Sequence, residues 1–352
     1  MIEQRYLIFG GPGIGDTVIE LCLAKALKQA MPNSTVDIIF SGALGSREVI
    51  YALLKHQQYI DRCYCYNKSK IIDLFRLLLE LRSNKYNYLF SCPTEFKANK
   101  SPSIISKLIG CKSVGKQVDG KTGQLDLPVL IDENIHIVEQ YQKILETIGI
   151  FIKMNGKVLD TDCLEQVYPL EKSYKKQIAI CLGANITIYQ KDGEEVRKQI
   201  KEWNMINWIR LSCHLYDMGY DVILLGGKKE KEHVEKSRLS VNSRILNLLG
   251  ETTISESLSI LYQSSLVVGA DTGMMHCAAA LGKPTLTLFG GTDSNVWKPY
   301  SEISYVITGI AECSPCYGKQ YAINCSHRKC MDTISVEQVK QRIEQLLYGV
   351  NI

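Results

Sequence analysis

The residues of this 352-residue chain whose types and spacing could do chemistry fall into three groups. The first is Gly10-Gly-Pro-Gly-Ile-Gly-Asp16, a glycine-rich turn after an apolar stretch and before a helical pattern. Glycines let the backbone approach a ligand, and a carboxylate at a helix N-terminus serves either as a base facing that ligand or as a plain cap. The spacing is not that of a dinucleotide-binding turn, and the acidic residue expected about 20 positions later is replaced by Val36-Asp37 in another register. The second group is Gly269-Ala-Asp-Thr-Gly-Met-Met-His276, where a buried strand runs into a helix whose first amides are free. Such an N-terminus attracts an anion; Thr272 adds a hydroxyl and Gly273 removes a side chain that would block the approach. His276 lies about one turn further on, as a core residue or on the ligand side. The third group is Cys313, Cys316, Cys325 and Cys330, four thiols within 18 residues. The Cys-x-x-Cys pair can converge on one ion and the second pair can complete a tetrahedral site for zinc or iron, with Pro315 and Gly318 suiting the knuckle. Disulfides or free thiols are the alternatives.

The elements that position these groups alternate along the chain. Apolar runs at 5–9, 35–40, 59–66 and 86–91 read as strands, with helical spacing at 17–30, 71–81 and 136–148. The grammar restarts with strands at 177–182, 221–225, 266–269 and 284–289, and helices at 207–218, from 229, 254–262, 274–281 and 335–348. Alternation of this kind predicts parallel sheets flanked by helices. The expectation is two Rossmann-like domains in tandem, residues 1–160 and 161–352, with the polar stretch 155–176 as their connection.

Composition bounds the rest. With 45% hydrophobic and 22% charged residues, the chain is neither disordered, collagen-like nor coiled coil. Its 41 basic and 37 acidic residues give +4, too little to argue for nucleic acid. Apolar runs are too short to span a bilayer, and the N-terminus lacks a signal-peptide pattern, so the expected location is cytoplasmic. Locally the balance is stronger: residues 62–121 carry twelve basic against four acidic side chains, and 126–165 carry eight acidic against three basic. The basic segment either meets an acidic substrate or anionic membrane face or is a solvated surface. Most of the thirteen cysteines, Cys22, Cys181, Cys213 and Cys277 among them, sit in apolar stretches and read as small buried hydrophobes.

The stretch from Asp271-Thr-Gly-Met-Met-His-Cys-Ala-Ala-Ala-Leu-Gly-Lys-Pro284 through Leu288-Phe-Gly-Gly-Thr-Asp293 to Trp297-Lys-Pro-Tyr300 closely resembles the donor-binding region of the family 9 glycosyltransferases, the heptosyltransferase-like enzymes of lipopolysaccharide core assembly. Gly13-Ile-Gly-Asp16 looks like that family's first turn. Lys201 with Trp203-Asn-Met-Ile-Asn-Trp208 is similar to its Lys-x-Trp-Pro-x-x-x-Trp element, and Gly226-Gly-Lys-Lys-Glu230 to its Gly-Gly-x-x-Glu turn. The matches run in chain order over about residues 7–345. Met274 and Asn204 stand where the family often has proline, and 184–194 looks like an insertion that offers Lys191 as an alternative to Lys201. Asp160-Thr-Asp162 has the form of a metal-binding motif but lies in a polar connection and reads as chance.

The resemblance implies a glycosyltransferase B fold and an inverting, metal-independent transfer from a nucleotide sugar, ADP-heptose above others. Asp16 would be the general base, flanked on the acceptor side by Gly13, Gly15, Lys97 and Lys100. The donor would be held by Lys201, Glu230, Asp271, Thr272, Gly273, Met275 and His276, with Glu230 at the nucleoside end. Catalysis would need no cofactor. The acceptor would be an anionic glycan or glycolipid such as the lipopolysaccharide inner core, with peripheral contact to the inner membrane, or else a protein. The family often carries a similar cysteine segment, and the branch that glycosylates autotransporters is associated with iron. A nucleotide-sugar epimerase or hydrolase on the same fold, and a non-catalytic binding protein, are the competing readings.

Overall fold

The structure, a computed structural model, describes residues 4–11, 13–41, 46–55, 57–66, 71–91, 100–117, 125–162, 164–168, 170, 175–183, 187–191, 194–198, 200–236, 243–317, 319, 322, 324–325 and 328–348. The chain divides into two compact units, Met1–Asp160 and Thr161–Ile352.

The first unit runs β1 (Arg5–Gly10), α1 (Ile14–Ala30), β2 (Thr35–Ser41), α2 (Ser46–Leu54), β3 (Arg62–Tyr66), α3 (Ile71–Ser83), β4 (Tyr88–Ser91), α4 (Lys100–Ile109), β5 (Lys112–Lys116), β6 (Leu127–Val129) and α5 (Ile137–Thr147). Its sheet is parallel, in the order β3-β2-β1-β4-β5-β6. The chain moves outward from β1 to β3 and then returns to the other side of β1 with β4, so the order reverses between β1 and β4. On one face, Leu7 and Phe9 of β1 pack with Leu89 of β4, with Leu74, Leu77 and Leu78 of α3, and with Ile105 and Ile109 of α4.

The second unit runs α6 (Leu164–Val167), β7 (Gln177–Cys181), β8 (Thr187–Lys191), β9 (Glu194–Lys198), α7 (Met205–Asp217), β10 (Asp221–Leu225), α8 (Lys228–Lys236), β11 (Leu246–Asn247), α9 (Ile254–Gln263), β12 (Leu266–Ala270), α10 (Gly273–Ala280), β13 (Thr285–Phe289), α11 (Ser294–Trp297), β14 (Ser304–Thr308), α12 (Lys329–Asp332) and α13 (Val336–Tyr348). Its parallel sheet has the order β11-β10-β7-β12-β13-β14, and here the reversal falls between β7 and β12. β12 and β13 are buried at every position, which is why both read as continuous rather than alternating apolar runs.

Local sequence explains how the helices start. Asn204 caps α7 by accepting from the Ile206 amide at 3.0 Å, doing with a side chain what the absent proline would do by fixing the backbone. Thr253 and Glu256 form a reciprocal capping box on α9. Trp203 and Trp208 meet edge to face at 4.7 Å, and the Trp203 indole donates to the Ile334 carbonyl at 2.9 Å. That anchors the residues just before α7, Lys201 among them, to the core. The apparent insertion at 184–194 contributes to an antiparallel hairpin, β8 with β9. The polar connection carries α6, and Tyr168 just beyond it is held to α9 through Ser259 and Gln263. Among the described residues no helix is long and apolar enough to cross a membrane.

Candidate active site

In open parallel sheets, ligands bind beyond the carboxyl ends of the strands, where the strand order reverses. Each unit places one of the glycine-bearing turns at that position.

In the first unit the turn follows β1. Gly13 is the N-cap of α1, and its amide donates to Oδ2 of Asp16 at 3.1 Å, so Asp16, three residues into the helix, folds back over the turn. The glycines are required for this. A Cβ on Gly11 would lie 2.7 Å from the Asp16 Cβ, and one on Gly13 would lie 2.8 Å from Asp16 Oδ2. Gly15 occupies the second helical position. Asp16 is half-buried, and it combines the capping role with a place at the reversal point. Sequence reasoning missed Glu20. Its side chain is buried, Oε1 accepts from the Gly11 amide at 2.6 Å, and Oε2 would lie 2.7 Å from a Cβ on Gly10. A glutamate in the middle of a helix reads as surface; only its packing under the turn reveals it. Lys97 lies outside the described residues, and Lys100 opens α4, with its side chain outside them.

In the second unit the turn follows β12. Thr272 is the N-cap of α10 with extended backbone and no capping bond from its side chain. Its hydroxyl is buried and has no hydrogen-bond partner among the described residues. Gly273 starts the helix, so its bare backbone faces the same position. Lys201 reaches across to Asp271: Nζ lies 2.7 Å from Oδ2, with the side chains 15% and 7% exposed. The same ammonium sits 4.5 Å over the Tyr317 ring, a cation–π contact. His276 is buried at the back of the turn. Burial, mainly, lowers its pKa to about 4; Asp271 opposes this and Lys201 reinforces it, so the imidazole is neutral at pH 7.

Neighbouring strand ends complete the edge. Beyond β10, the Gly227 amide donates to Oε2 of Glu230 at 2.8 Å, and Gly183 beyond β7 gives the same carboxylate room. Beyond β13, Thr292 is buried with a hydroxyl lacking a partner among the described residues, and nothing in its residue type or spacing assigns it a role. Met275 differs from expectation. It is fully buried, its Sδ would lie 2.6 Å from a Cβ on Gly269, and its amide donates to the Thr272 carbonyl, so its side chain packs α10 onto β12. Lys191 sits in the β8–β9 hairpin with its side chain outside the described residues.

The cysteine segment is pinned to the same edge, because the Cys316 and Tyr317 amides both donate to the Gly291 carbonyl, at 2.8 and 2.7 Å. All four cysteines are free thiols. Burial, and then the neighbouring thiols Cys313, Cys330 and Cys325, push Cys316 up to about 11. Proximity does not make a ligand set, however: among the described residues no three His, Cys, Asp or Glu side chains are arranged to hold a metal ion. Cys316 packs with Ile200 and Ala322, Cys330 belongs to the main core, and Cys313 is exposed. The four-thiol zinc or iron site that the spacing allows is thus not preformed among the described residues, where the thiols stand as free cysteines.

Two Rossmann-like units in tandem, each with a glycine-bearing turn at its reversal point, give the fold of the glycosyltransferase B type. The chain belongs to glycosyltransferase family 9 (heptosyltransferase), whose sequence profile matches residues 74–327, and it is a glycosyltransferase. It is 23% identical to lipooligosaccharide heptosyltransferase 2 of Haemophilus ducreyi over 363 aligned positions, covering 98% of this chain and 99% of that one. The solved structure of the Escherichia coli ADP-heptose lps heptosyltransferase II superposes with a TM-score of 0.73 at 20% identity, covering 98% and 99% of the two chains. The iron-containing dodecameric glycosyltransferase TibC of enterotoxigenic E. coli shares the fold with a TM-score of 0.57 at 14% identity, covering 99% of this chain and 77% of that one.

Proposed function

We propose that this protein transfers a heptose from ADP-heptose to a hydroxyl of the lipopolysaccharide inner core, with inversion at the anomeric carbon and on the cytoplasmic side of the membrane. The family supports sugar transfer, and the names of its relatives supply the heptose, the ADP and the acceptor. The first unit receives the acceptor and the second the nucleotide sugar.

The carboxylate of Asp16 takes the proton from the acceptor hydroxyl. That oxygen attacks the anomeric carbon from the face opposite the diphosphate, a new C–O bond forms as the old one breaks, and ADP leaves with the bonding pair. The developing charge falls on the diphosphate, where fixed donors have the most effect. Lys201, the Thr272 hydroxyl and the amides at the start of α10 supply them, and Glu230 accepts from the nucleoside's hydroxyls. His276, held neutral, offers a hydrogen bond rather than a charge. In this reading catalysis draws on these side chains and amides alone.

The observation that carries the proposal is the Thr272 hydroxyl, buried and without a hydrogen-bond partner among the described residues, at the N-terminus of α10 and next in the chain to the carboxylate that binds Lys201. A buried hydroxyl without a partner costs about 1–3 kcal/mol, a cost that a phosphate oxygen removes. Calorimetric titration with ADP, UDP, GDP and CMP in EDTA tests it. ADP should bind at least about tenfold more tightly than the others, about 1.4 kcal/mol. Preference for UDP or GDP would discard ADP-heptose as the donor, and no binding by any nucleotide would discard the donor site.

A further inference from the structure

Helices α3 and α4 bury one side against the sheet of the first unit and leave apolar side chains on the other. On α3, Ile72, Phe75 and Leu79 are 69%, 62% and 53% exposed, at spacings that put them on one stripe. On α4, Ile104 and Leu108 are 49% and 47% exposed, one turn apart. The helices lie side by side, with the Arg82 guanidinium donating to the Leu108 carbonyl at 3.0 Å, so the two stripes form one surface. Single exposed apolar residues are ordinary; five on adjacent helices mark a surface that something covers.

The charges around it select the occupant. Arg76, Arg82, Lys85, Lys107 and Lys112 are exposed along these helices and at their ends, against the carboxylates of Asp73 and Glu80. Lys107 also lies near Asp126, whose pKa is held down first by the Ser113 amide and in smaller part by Lys107. The remaining excess is positive, and residues 62–121 as a whole carry twelve basic against four acidic side chains. A second copy packed on a two-fold axis would bring this excess against itself. A sheet of anionic lipid headgroups over hydrocarbon complements both features at once: apolar side chains enter the boundary while the cations meet phosphates.

We infer that the α3–α4 face of the first unit is a docking surface for an anionic lipid membrane. The surface stands on its own residues; its purpose, bringing the enzyme to a lipid-borne acceptor, rests on the proposed function.

The test is co-sedimentation of the full chain with phosphatidylglycerol–phosphatidylcholine vesicles and with pure phosphatidylcholine vesicles, with ADP binding measured on the same preparations. The anionic vesicles should bind at least about tenfold more protein, and 0.5 M salt should abolish the difference. Two variants should each lose at least about tenfold of this binding while keeping wild-type ADP affinity: Ile72→Ser with Phe75→Ser and Leu79→Ser, and Arg76→Gln with Lys112→Gln. Equal binding to both vesicle types, no binding to either, or undiminished binding by both variants overturns the inference. So does a wild-type dimer in sedimentation equilibrium that the triple serine variant converts to monomer, because a second copy then covers the face. ADP affinity separates this outcome from failure of the transferase reading: vesicle binding can be absent with ADP binding intact, and the reverse.

Discussion

The ammonium of Lys201 and the carboxylate of Asp271 meet at 2.7 Å, joining the residue that precedes the Trp203 anchor to the turn after β12. One side chain therefore fixes the position of the other at the start of α10. Removing either leaves a largely buried charge without its partner, which in comparable pairs costs about 3–5 kcal/mol.

Lys201→Ala is accordingly expected to lower stability by about 3 kcal/mol and to weaken ADP binding by about tenfold or more. Lys201→Arg, which keeps a cation, should recover most of the stability. Denaturant unfolding and calorimetry check both. An alanine variant with wild-type ADP affinity would move the phosphate contact to another residue, Lys191 being the first to examine.

His276 predicts a pH dependence of stability. Its pKa is about 4 in the fold, through burial, against an unfolded value of 6.5. Because the folded value is depressed, the stabilisation is complete above pH 6.5 and is lost as pH falls towards 4; within that window the unfolded chain takes up a proton that the fold rejects. The expected loss is about 3 kcal/mol. Unfolding curves at pH 7 and pH 4.5 should differ less for His276→Gln than for the wild type. An equal difference for both would show that His276 does not set the pH dependence.

Gly309 predicts a packing limit beside the cysteine segment. A Cβ there would overlap the Cys330 carbonyl oxygen, a backbone atom that cannot swing aside. Gly309→Ala is expected to destabilise the chain by about 3 kcal/mol. By contrast Gly227→Ala, where the nearest atom is the movable Glu230 carboxylate at 3.2 Å, should cost under about 1 kcal/mol. Thermal unfolding of the two variants checks the contrast.

Much of this arrangement is legible in the sequence, for physical reasons that differ by element. The turn from Asp271 to His276 stands out because small and polar residues interrupt a buried apolar run at a strand end, where amides are free. The Gly10–Asp16 turn is legible for the same reason. Glu20 is not, because helical spacing cannot distinguish a carboxylate packed under a loop from one in solvent. Met275 misleads in the opposite direction: the register of the turn suits a ligand, yet its side chain is needed beneath β12. Tyr317 arrives at Lys201 through a segment more than a hundred residues downstream, a contact that only the tertiary fold creates. Within the sheets, β5 (Lys112–Lys116) and β14 (Ser304–Thr308) are as long as β7 and β12 but carry more polar residues, so they lack the apolar run that marks those two. The cysteine spacing reads as a metal knuckle, whereas the packing divides the thiols among an apolar pocket, the core and solvent.

The most direct test of the central claim compares wild type with Asp16→Asn in a transfer assay, using ADP-heptose and a lipopolysaccharide inner-core acceptor in EDTA, with donor affinity measured in parallel. The expected result is a wild-type product of inverted anomeric configuration, a rate at least about 1,000-fold lower in the variant, and an unchanged affinity for ADP-heptose. No transfer by the wild type, or equal loss of transfer and donor binding in the variant, would contradict it.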